Sequence, residues 1–343
     1  MKPVHIVGGG LAGLTLGLRL RQLGIPVEIF EAGTYPRHRV CGEYLSGRGR
    51  DQLVSLLGEA SLSRAGARSS VQLRIFRGKD ALPERSLPHP ALCLSRHRLD
   101  QLLADTFSAA GGRIHAQTRQ SILQEEGWVT ATGRQPSIQE EGWRWLGLKA
   151  HALDLRLPDG LEMHLTPWGY VGLCAVEENR VNVCGLFRTR ERIPNLIHHW
   201  HDWLRGSPGS ALHERLRGTN WDESSFSSVS ALSLYPRRAS DQPGVRVGDA
   251  LTMIPPLTGN GMSMAIEGAF IAAEPLAEWS SGRISWSECS ERIALHLDQA
   301  FCPRLQWARR LQQAILHPFG QPLAWNLSLL FPSLPHLLFR QTR

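Results

Sequence analysis

The sequence contains no stretch of about 18 consecutive apolar residues, so a membrane-spanning helix is not expected. Its N-terminus also lacks the cationic stretch followed by a long apolar run that marks a secretory leader. Cysteine is sparse: Cys41, Cys93, Cys174, Cys184, Cys289 and Cys302 form no CxxC pair and no His-rich ligand spacing. No metal site is expected, and a reducing cytoplasm is the default location. Runs of basic residues are missing too. The formal charge of +7 comes from 38 Lys and Arg against 31 Asp and Glu, but the arginines are scattered rather than gathered into an arm, so nucleic acid is not an expected partner. An anionic ligand or a membrane surface accounts for the excess as well. With 343 residues, 42% apolar and 20% charged, the chain can bury a large core in one domain or two interleaved ones.

Glycine is concentrated where it carries information. In "KPVHIVGGGLAGLTLGLRLRQLGIPVEIFEA", Val4 to Val7 reads as a short buried strand, Gly8, Gly10 and Gly13 give G-x-G-x-x-G, and Leu11 to Leu23 has helical apolar spacing that stops at Gly24. Gly8 permits the turn, Gly10 admits a pyrophosphate to the backbone, and Gly13 lets helix and strand pack closely. The next strand, Pro26 to Phe30, ends at Glu31, whose carboxylate can accept the two hydroxyls of an adenosine ribose.

A second glycine-rich segment lies far along the chain. "VRVGDALTMIPPLTGNGMSMAIEGAFIAAEPL" reads as a strand, then Gly248-Asp249, a proline pair, Gly259-Asn260-Gly261 and a long small-residue helix from Met262. An aspartate at a strand end can hold a ribityl hydroxyl, and a glycine-rich helix start can face another polar part of the same cofactor. No second G-x-G-x-x-G within a full mononucleotide unit follows, so a separate NAD(P)H domain is not expected.

Between these ends, "LSRHRLDQLLADTFSAAGGRI" is an amphipathic helix with Arg96 at its entrance. "WVTATGRQPS" is a strand ending in Ala131-Thr132-Gly133. "LDLRLPDGLEMHLTPWGYVGLCAVEENRVNVCGLF" alternates, broken at 158–160 and 177–179, and predicts a meander of three or four antiparallel strands. Two acidic turns, "SILQEEGW" and "SIQEEGW", form a near repeat with no mechanism attached. Ser290 to Ile315 predicts a helix, and the apolar tail after it is broken by four prolines. That tail either packs inside the protein or makes a peripheral membrane contact, with Arg309, Arg310 and Arg340 near the headgroups.

Over nearly its whole length the chain resembles the FAD-dependent oxidoreductases of the glutathione-reductase-like superfamily, in the branch shared by aromatic hydroxylases, geranylgeranyl reductases and flavin halogenases. The resemblance implies an α/β fold: a Rossmann-like FAD-binding domain of p-hydroxybenzoate-hydroxylase type, an inserted antiparallel β-sheet substrate domain and a C-terminal helical segment. The expected boundaries are 1–66, 92–150 and 235–282 for the FAD domain, 67–91 and 151–234 for the substrate domain, and 283–343 for the C-terminal segment. With FAD as cofactor, the resemblance implies that Gly248 and Asp249 bind the ribityl chain or pyrophosphate. It also implies that Pro256, Gly259, Gly261 and Met262 run beside the isoalloxazine ring, that Arg96 lies against the phosphates, and that Gly133 gives close backbone access. Related hydroxylases usually carry Asp-Gly where this chain has Thr132-Gly133, a departure from the NADPH-using single-component type.

The expected chemistry sits in "YPRHRVCGEYLSG". Pro36-x-x-Arg39-x-Cys41-Gly42 is similar to a signature of geranylgeranyl reductases whose cysteine lies close to flavin and substrate. Arg39, grouped with the cofactor-binding residues, is expected beside Cys41, lowering the pKa of its thiol. Glu43 and Tyr44 are the expected proton carriers, and Lys149, with His151 near it, a cationic partner for reduced flavin or an acidic substrate. Trp168, Tyr170 and Phe187 are the expected pocket lining. The leading expectation is hydride transfer through flavin N5 to or from a hydrophobic isoprenoid, polyketide or aromatic molecule. The alternative is a monooxygenase using a peroxyflavin, and a rival from another class is a non-catalytic flavin-binding protein. "GWRWLG" matches only the first half of a halogenase signature, which sets halogenation lower. Electrons are expected from transient NAD(P)H, a partner flavin reductase or the substrate.

Overall fold

The computed structural model describes residues 1–134, 142–157, 160–191, 196–317 and 319–331. The strand Val4–Val7 is the centre of a five-stranded parallel sheet, flanked by Val27–Phe30 and Trp128–Thr130, with Arg113–His115 and Val245–Arg246 at the edges. Val4 and Ile6 are fully buried, as a strand covered on both faces demands. The helices Leu11–Gln22, Arg96–Ala109 and Gly261–Ser280 contribute to the surrounding core. Gly17 brings the first of these close to its neighbours: a Cβ there would stand 2.8 Å from Ile29 and 3.0 Å from Phe107.

The second sheet runs in the order Trp221–Ser230, Arg144–Ala152, Val181–Thr189, Gly169–Ala175, Gly160–Thr166, Arg68–Arg77, Arg85–Cys93 and Tyr44–Leu45, with Asp80–Ala81 paired to Arg68–Arg77. The expected meander is present. Its outer strand Gly160–Thr166 joins Arg68–Arg77 in parallel, while the remaining pairs are antiparallel. The expected domain boundaries shift accordingly. Arg144–Ala152 pairs with Val181–Thr189 on one side and Trp221–Ser230 on the other, so it belongs wholly to this second sheet. Leu92 and Cys93 join it through Leu45 and Tyr44.

Strand alternation divides this sheet chemically. Leu148, Ala150, Leu173 and Val183 form one core with Trp200, Leu204 and Leu212 from the helices on that face. Lys149, His151, Cys174, Asn182 and Cys184 face the opposite way, as their registers require, toward the segment 41–43.

The C-terminal helix spans Trp286–Leu316, begun by Ser285 whose hydroxyl accepts the Glu288 N–H at 3.2 Å. A further helix, Gly320–Leu330, follows, and residues 332–343 of the proline-broken tail lie outside the described residues, as does most of the second acidic turn. Among the described residues no helix is long and apolar enough to cross a membrane.

A buried chain of polar contacts fixes the loop 46–49 to the helix Gly261–Ser280. Ser263 Oγ accepts the Gly49 N–H at 3.0 Å, its single O–H lies between Glu267 Oε1 at 2.9 Å and Ser46 O at 3.1 Å, and Glu267 holds Arg304 at 2.9 Å. Gly49 is required here because a Cβ would stand 2.5 Å from Ser263. Glu267 is 4% exposed, so removing its carboxylate strands the Arg304 guanidinium beside it. Glu267→Ala is therefore expected to cost about 3 kcal/mol, read as a lowered urea midpoint at unchanged slope.

Candidate functional site

The first glycine turn has the geometry a dinucleotide requires. Gly8 has φ +108° and its absent Cβ would lie 2.3 Å from Ala131 O, while a Cβ on Gly13 would lie 2.0 Å from Gly8 O. Gly10 differs, since among the described residues nothing stands within 4 Å of its Cβ direction. Two glycines thus pack the turn and the third faces open space at the start of Leu11–Gln22, which has no side-chain cap. That combination of open backbone and the positive end of a helix fits a pyrophosphate. Gly9 carries a constraint the sequence reading missed: a Cβ would meet Tyr35 Oη at 2.1 Å.

Glu31 is buried and anchored on both oxygens. Oε2 accepts Gly9 N–H at 2.8 Å, and Oε1 accepts Gly33 N–H at 2.8 Å and Arg37 at 2.6 Å. Burial alone would raise its pKa, but the hydrogen bonds from Arg37, Gly33 and Gly9 and the Arg37 charge outweigh it and hold the carboxyl down at about 2. An ionised carboxylate has about four acceptor positions, so room remains for a ribose hydroxyl. Arg37 was not anticipated. It follows Glu31 by six residues in an irregular strap, where no periodicity tells which of Arg37 and Arg39 turns back. Arg39 is the exposed one.

The second glycine segment meets the first. Gly248, with φ +63°, would place a Cβ 2.8 Å from Ala12 Cβ, which sets Asp249 beside the first helix. Burial raises the Asp249 pKa, and Arg96 and Arg134 oppose the rise. Arg134 is the unanticipated member, placed by the strand end at Ala131 whose N–H donates to Val7 O. Gly133 has φ +79° and an open Cβ direction. Arg96 is held bidentately by the buried Asp100 at 2.7 and 2.8 Å. Pro256–Thr258 forms one tight turn, Gly259 follows with φ +60°, and the helix begins at Gly261 with Met262 buried. A Cβ on Gly259 would lie 2.3 Å from the Tyr44 ring, so these two expected residues are in contact.

Behind Tyr44 lies a buried ionic cluster. Glu43, at φ 55°, turns its side chain under the second sheet, where Glu43, Lys149 and His151 are all 0% exposed. Its carboxylate accepts the Arg96 N–H at 3.0 Å, contacts Lys149 Nζ at 3.3 Å and His151 Nε2 at 2.7 Å. Burial pushes the carboxyl pKa up, but hydrogen bonding to His151 and the Lys149 charge prevail and lower it. Lys149 Nζ also lies 3.1 Å from His38 Nδ1. The donor atoms of His38, Glu43 and His151 fall within 4.8 Å of one another, a spacing that would suit a metal. The Lys149 ammonium stands among them and supplies the cation itself.

Cys41 corrects one expectation. Burial raises its thiol pKa, and the guanidinium that opposes this is Arg96 rather than the expected Arg39. Its sulfur accepts the Glu43 N–H at 3.4 Å, and Asn182 Nδ2 donates to its carbonyl at 3.0 Å. It is a neutral, packed thiol.

The three expected lining aromatics separate. Phe187 is buried in the helix-covered core on the far face, edge-on to Trp203 at 5.2 Å, and Trp168 is 59% exposed at a turn. Alternation sends Leu186 one way and Phe187 the other, which spacing alone could not orient. Tyr170 remains on the near face, packed with Leu186, Val229, Leu232 and Leu257, and its buried hydroxyl has no partner among the described residues. A cavity of about 740 Å³ is lined by Arg68, Arg156, Arg180 and Arg215.

Glu31 sets a pH dependence. Its folded value, about 2, is below the ordinary 4.5, so its stabilisation is complete above the ordinary value and is lost as pH falls toward the folded one. Glu31→Gln is expected to remove up to about 3 kcal/mol of that acid-sensitive stability, measured by urea unfolding across the acid range.

Residues 1–143 match the family described as FAD binding domain. Squalene epoxidase 4 of Arabidopsis thaliana is 33% identical over 134 residues, 37% of this chain and 26% of that enzyme, so the match spans about a quarter of that relative's length. The flavin-dependent brominase Bmp2 superposes with a TM-score of 0.74 at 16% identity, covering 99% of this chain and 92% of that one. PqsL of Pseudomonas aeruginosa, solved with 2-aminobenzoylacetate, gives 0.71 at 16% identity over 93% and 98%. A flavoprotein/dehydrogenase from Cytophaga hutchinsonii gives 0.68 at 16% over 92% and 86%. The structural likenesses show the fold, and residues 1–143 of this chain carry an FAD binding domain.

Proposed function

We propose that the chain is an FAD-dependent monooxygenase acting on an apolar small molecule that carries a polar group. The observation that carries the reading is Tyr170, whose buried hydroxyl has no partner among the described residues, in an otherwise apolar wall that includes Leu257 of the loop expected beside the flavin ring. A buried phenol without a partner is costly, and a substrate polar group is a natural one.

Two observations favour oxygen insertion over the hydride transfer expected from the P-x-x-R-x-C-G signature. The sequence relative is named an epoxidase, and Cys41, on which the reductase resemblance rests, is a neutral packed thiol rather than an activated one. Bound FAD would supply electron transfer and oxygen activation. In the protein, Glu31 and the Gly8–Gly13 turn would hold the nucleotide end, and Asp249 with Arg96 the middle. Tyr170 would orient the substrate, and Leu186, Val229 and Leu257 would exclude water. One oxygen atom of O₂ enters the product and the other leaves as water, with two electrons from NAD(P)H or a partner flavin reductase.

The product decides between the chemistries. Reduced holoprotein mixed with ¹⁸O₂ and apolar candidates is expected to yield product carrying one labelled oxygen, read by mass spectrometry. Unlabelled product with two added hydrogens would return the reductase reading. Tyr170→Phe is expected to raise KM about tenfold, the loss of one buried hydrogen bond, with little change in kcat.

A peripheral lipid contact of the last helix is a separate part of this proposal. Phe319, Leu330 and Phe331 are 82%, 71% and 59% exposed. Sedimentation with vesicles of phosphatidylcholine and phosphatidylserine is expected for the parent and reduced in a Phe319→Ser, Leu330→Ser variant. A parent that stays wholly in the supernatant removes the contact.

A further inference from the structure

We infer that His38 is the outlet of a proton path that begins at the buried His151 and runs through Glu43 and Lys149 to solvent. The inference rests on the flavin reading, since it is the flavin cleft that such a path would serve, but its geometry is independent of it. His151 is 0% exposed, its Nε2 meets Glu43 Oε2 at 2.7 Å, and its Nδ1 is buried with no partner among the described residues. Beside an ionised Glu43, that arrangement describes a neutral ring donating from Nε2 and keeping an open acceptor at Nδ1. The other carboxylate oxygen contacts Lys149 Nζ at 3.3 Å, and Nζ reaches His38 Nδ1 at 3.1 Å. Lys149 donates there, so His38 carries its own proton on Nε2. Unlike the other three side chains, His38 is only half-buried, with its ring stacked on that of His97 at 4.5 Å.

The transfer balances group by group. A proton taken up at His151 Nδ1 releases the Nε2 proton to Glu43. Glu43 passes one to Lys149 as Lys149 gives one to His38 Nδ1, and His38 releases its Nε2 proton to water. One proton leaves the interior and every group recovers its charge, with both rings left as Nδ1–H tautomers; from those tautomers the reverse order admits one proton and restores the Nε2–H rings. For this, His38 has to be neutral at working pH. Burial first and the Lys149 charge next lower its pKa to about 4, against the opposing field of Glu43; His151 and His97 would add to the lowering only when protonated. Asp222, on the adjoining strand, also faces His38 and His151 but is drawn toward Arg180 at 3.2 Å. A cluster serving stability alone would have no need to end on a half-exposed imidazole, and replacing buried ion pairs by apolar groups is often neutral or stabilising.

The test uses FAD-loaded protein, photoreduced in a weakly buffered solution with a pH indicator, so that proton uptake is read apart from turnover. His38→Ala is expected to bind FAD within about twofold of the parent, yet take up its proton about 100-fold more slowly, the lower range for a general acid–base group. Added imidazole is expected to restore the rate. Uptake at the parental rate, or a slow rate that imidazole leaves unchanged, overturns the path. If His38→Ala does not fold, His38→Gln keeps an acceptor for Lys149 without a relay and is subject to the same criteria. If the parent binds no FAD, the flavin reading fails and the path is judged on the apo-protein by NMR titration of His38. Lys149→Met is expected to raise the His38 pKa by about one unit, as loss of a close positive charge should. A His38 that titrates at its ordinary value in both proteins overturns the inference.

Discussion

One carboxylate joins the parts of this molecule. Glu43 is fully buried, and its two oxygens reach the start of the helix Arg96–Ala109, the ammonium of Lys149 and the ring of His151. The first belongs to the nucleotide domain and the other two to the second sheet, so the relative placement of the two sheets is expressed at one side chain. Its left-handed backbone, unusual for a residue with a Cβ, is what sends the carboxylate inward. Tyr44 then emerges against Gly259, and Cys41 is drawn under Asn182.

Burying such a group carries a desolvation cost that Coulomb attraction repays only where geometry is good and the remaining donors and acceptors are matched. Glu43 meets that condition with a backbone N–H, an ammonium and an imidazole. Glu31 meets it with two backbone N–H groups and Arg37. Both anions sit on the same strap, before and after Arg37 and His38, so the segment 31–46 is fastened at both ends beside the nucleotide turn. The same loop is held a third time by Ser263, which fixes it to the helix that begins after Gly259. The space expected for the flavin is therefore bordered by segments tied to one another through buried polar contacts rather than by apolar packing alone.

The separation of the second sheet into two faces decides where chemistry can occur. Its helix-covered face is filled by Trp200, Leu204 and Phe187 and is a core. The other face changes character along its width, from the ionic cluster at Lys149 and His151 to the apolar wall around Tyr170. A buried ionic region and an apolar region thus lie side by side on one face of this sheet.

The sequence alone determined the local features: the strand, turn and helix around Gly8 to Gly13, the acid at Glu31, the second glycine segment at Gly248 to Gly261, and the meander. Each of these is set by residues within a few positions of one another, through periodicity, positive φ and helix ends, and so can be read along the chain. Tertiary structure alone decided that Arg37 and not Arg39 meets Glu31, that Arg96 reaches Cys41, that Arg144–Ala152 belongs to the second sheet, and that Phe187 faces away from Tyr170. It also decided that Lys149 is buried against Glu43 although 106 positions separate 43 from 149. Those outcomes depend on strand register and on charges meeting across elements distant in sequence. A one-residue shift in register exchanges the faces while leaving every local pattern unchanged.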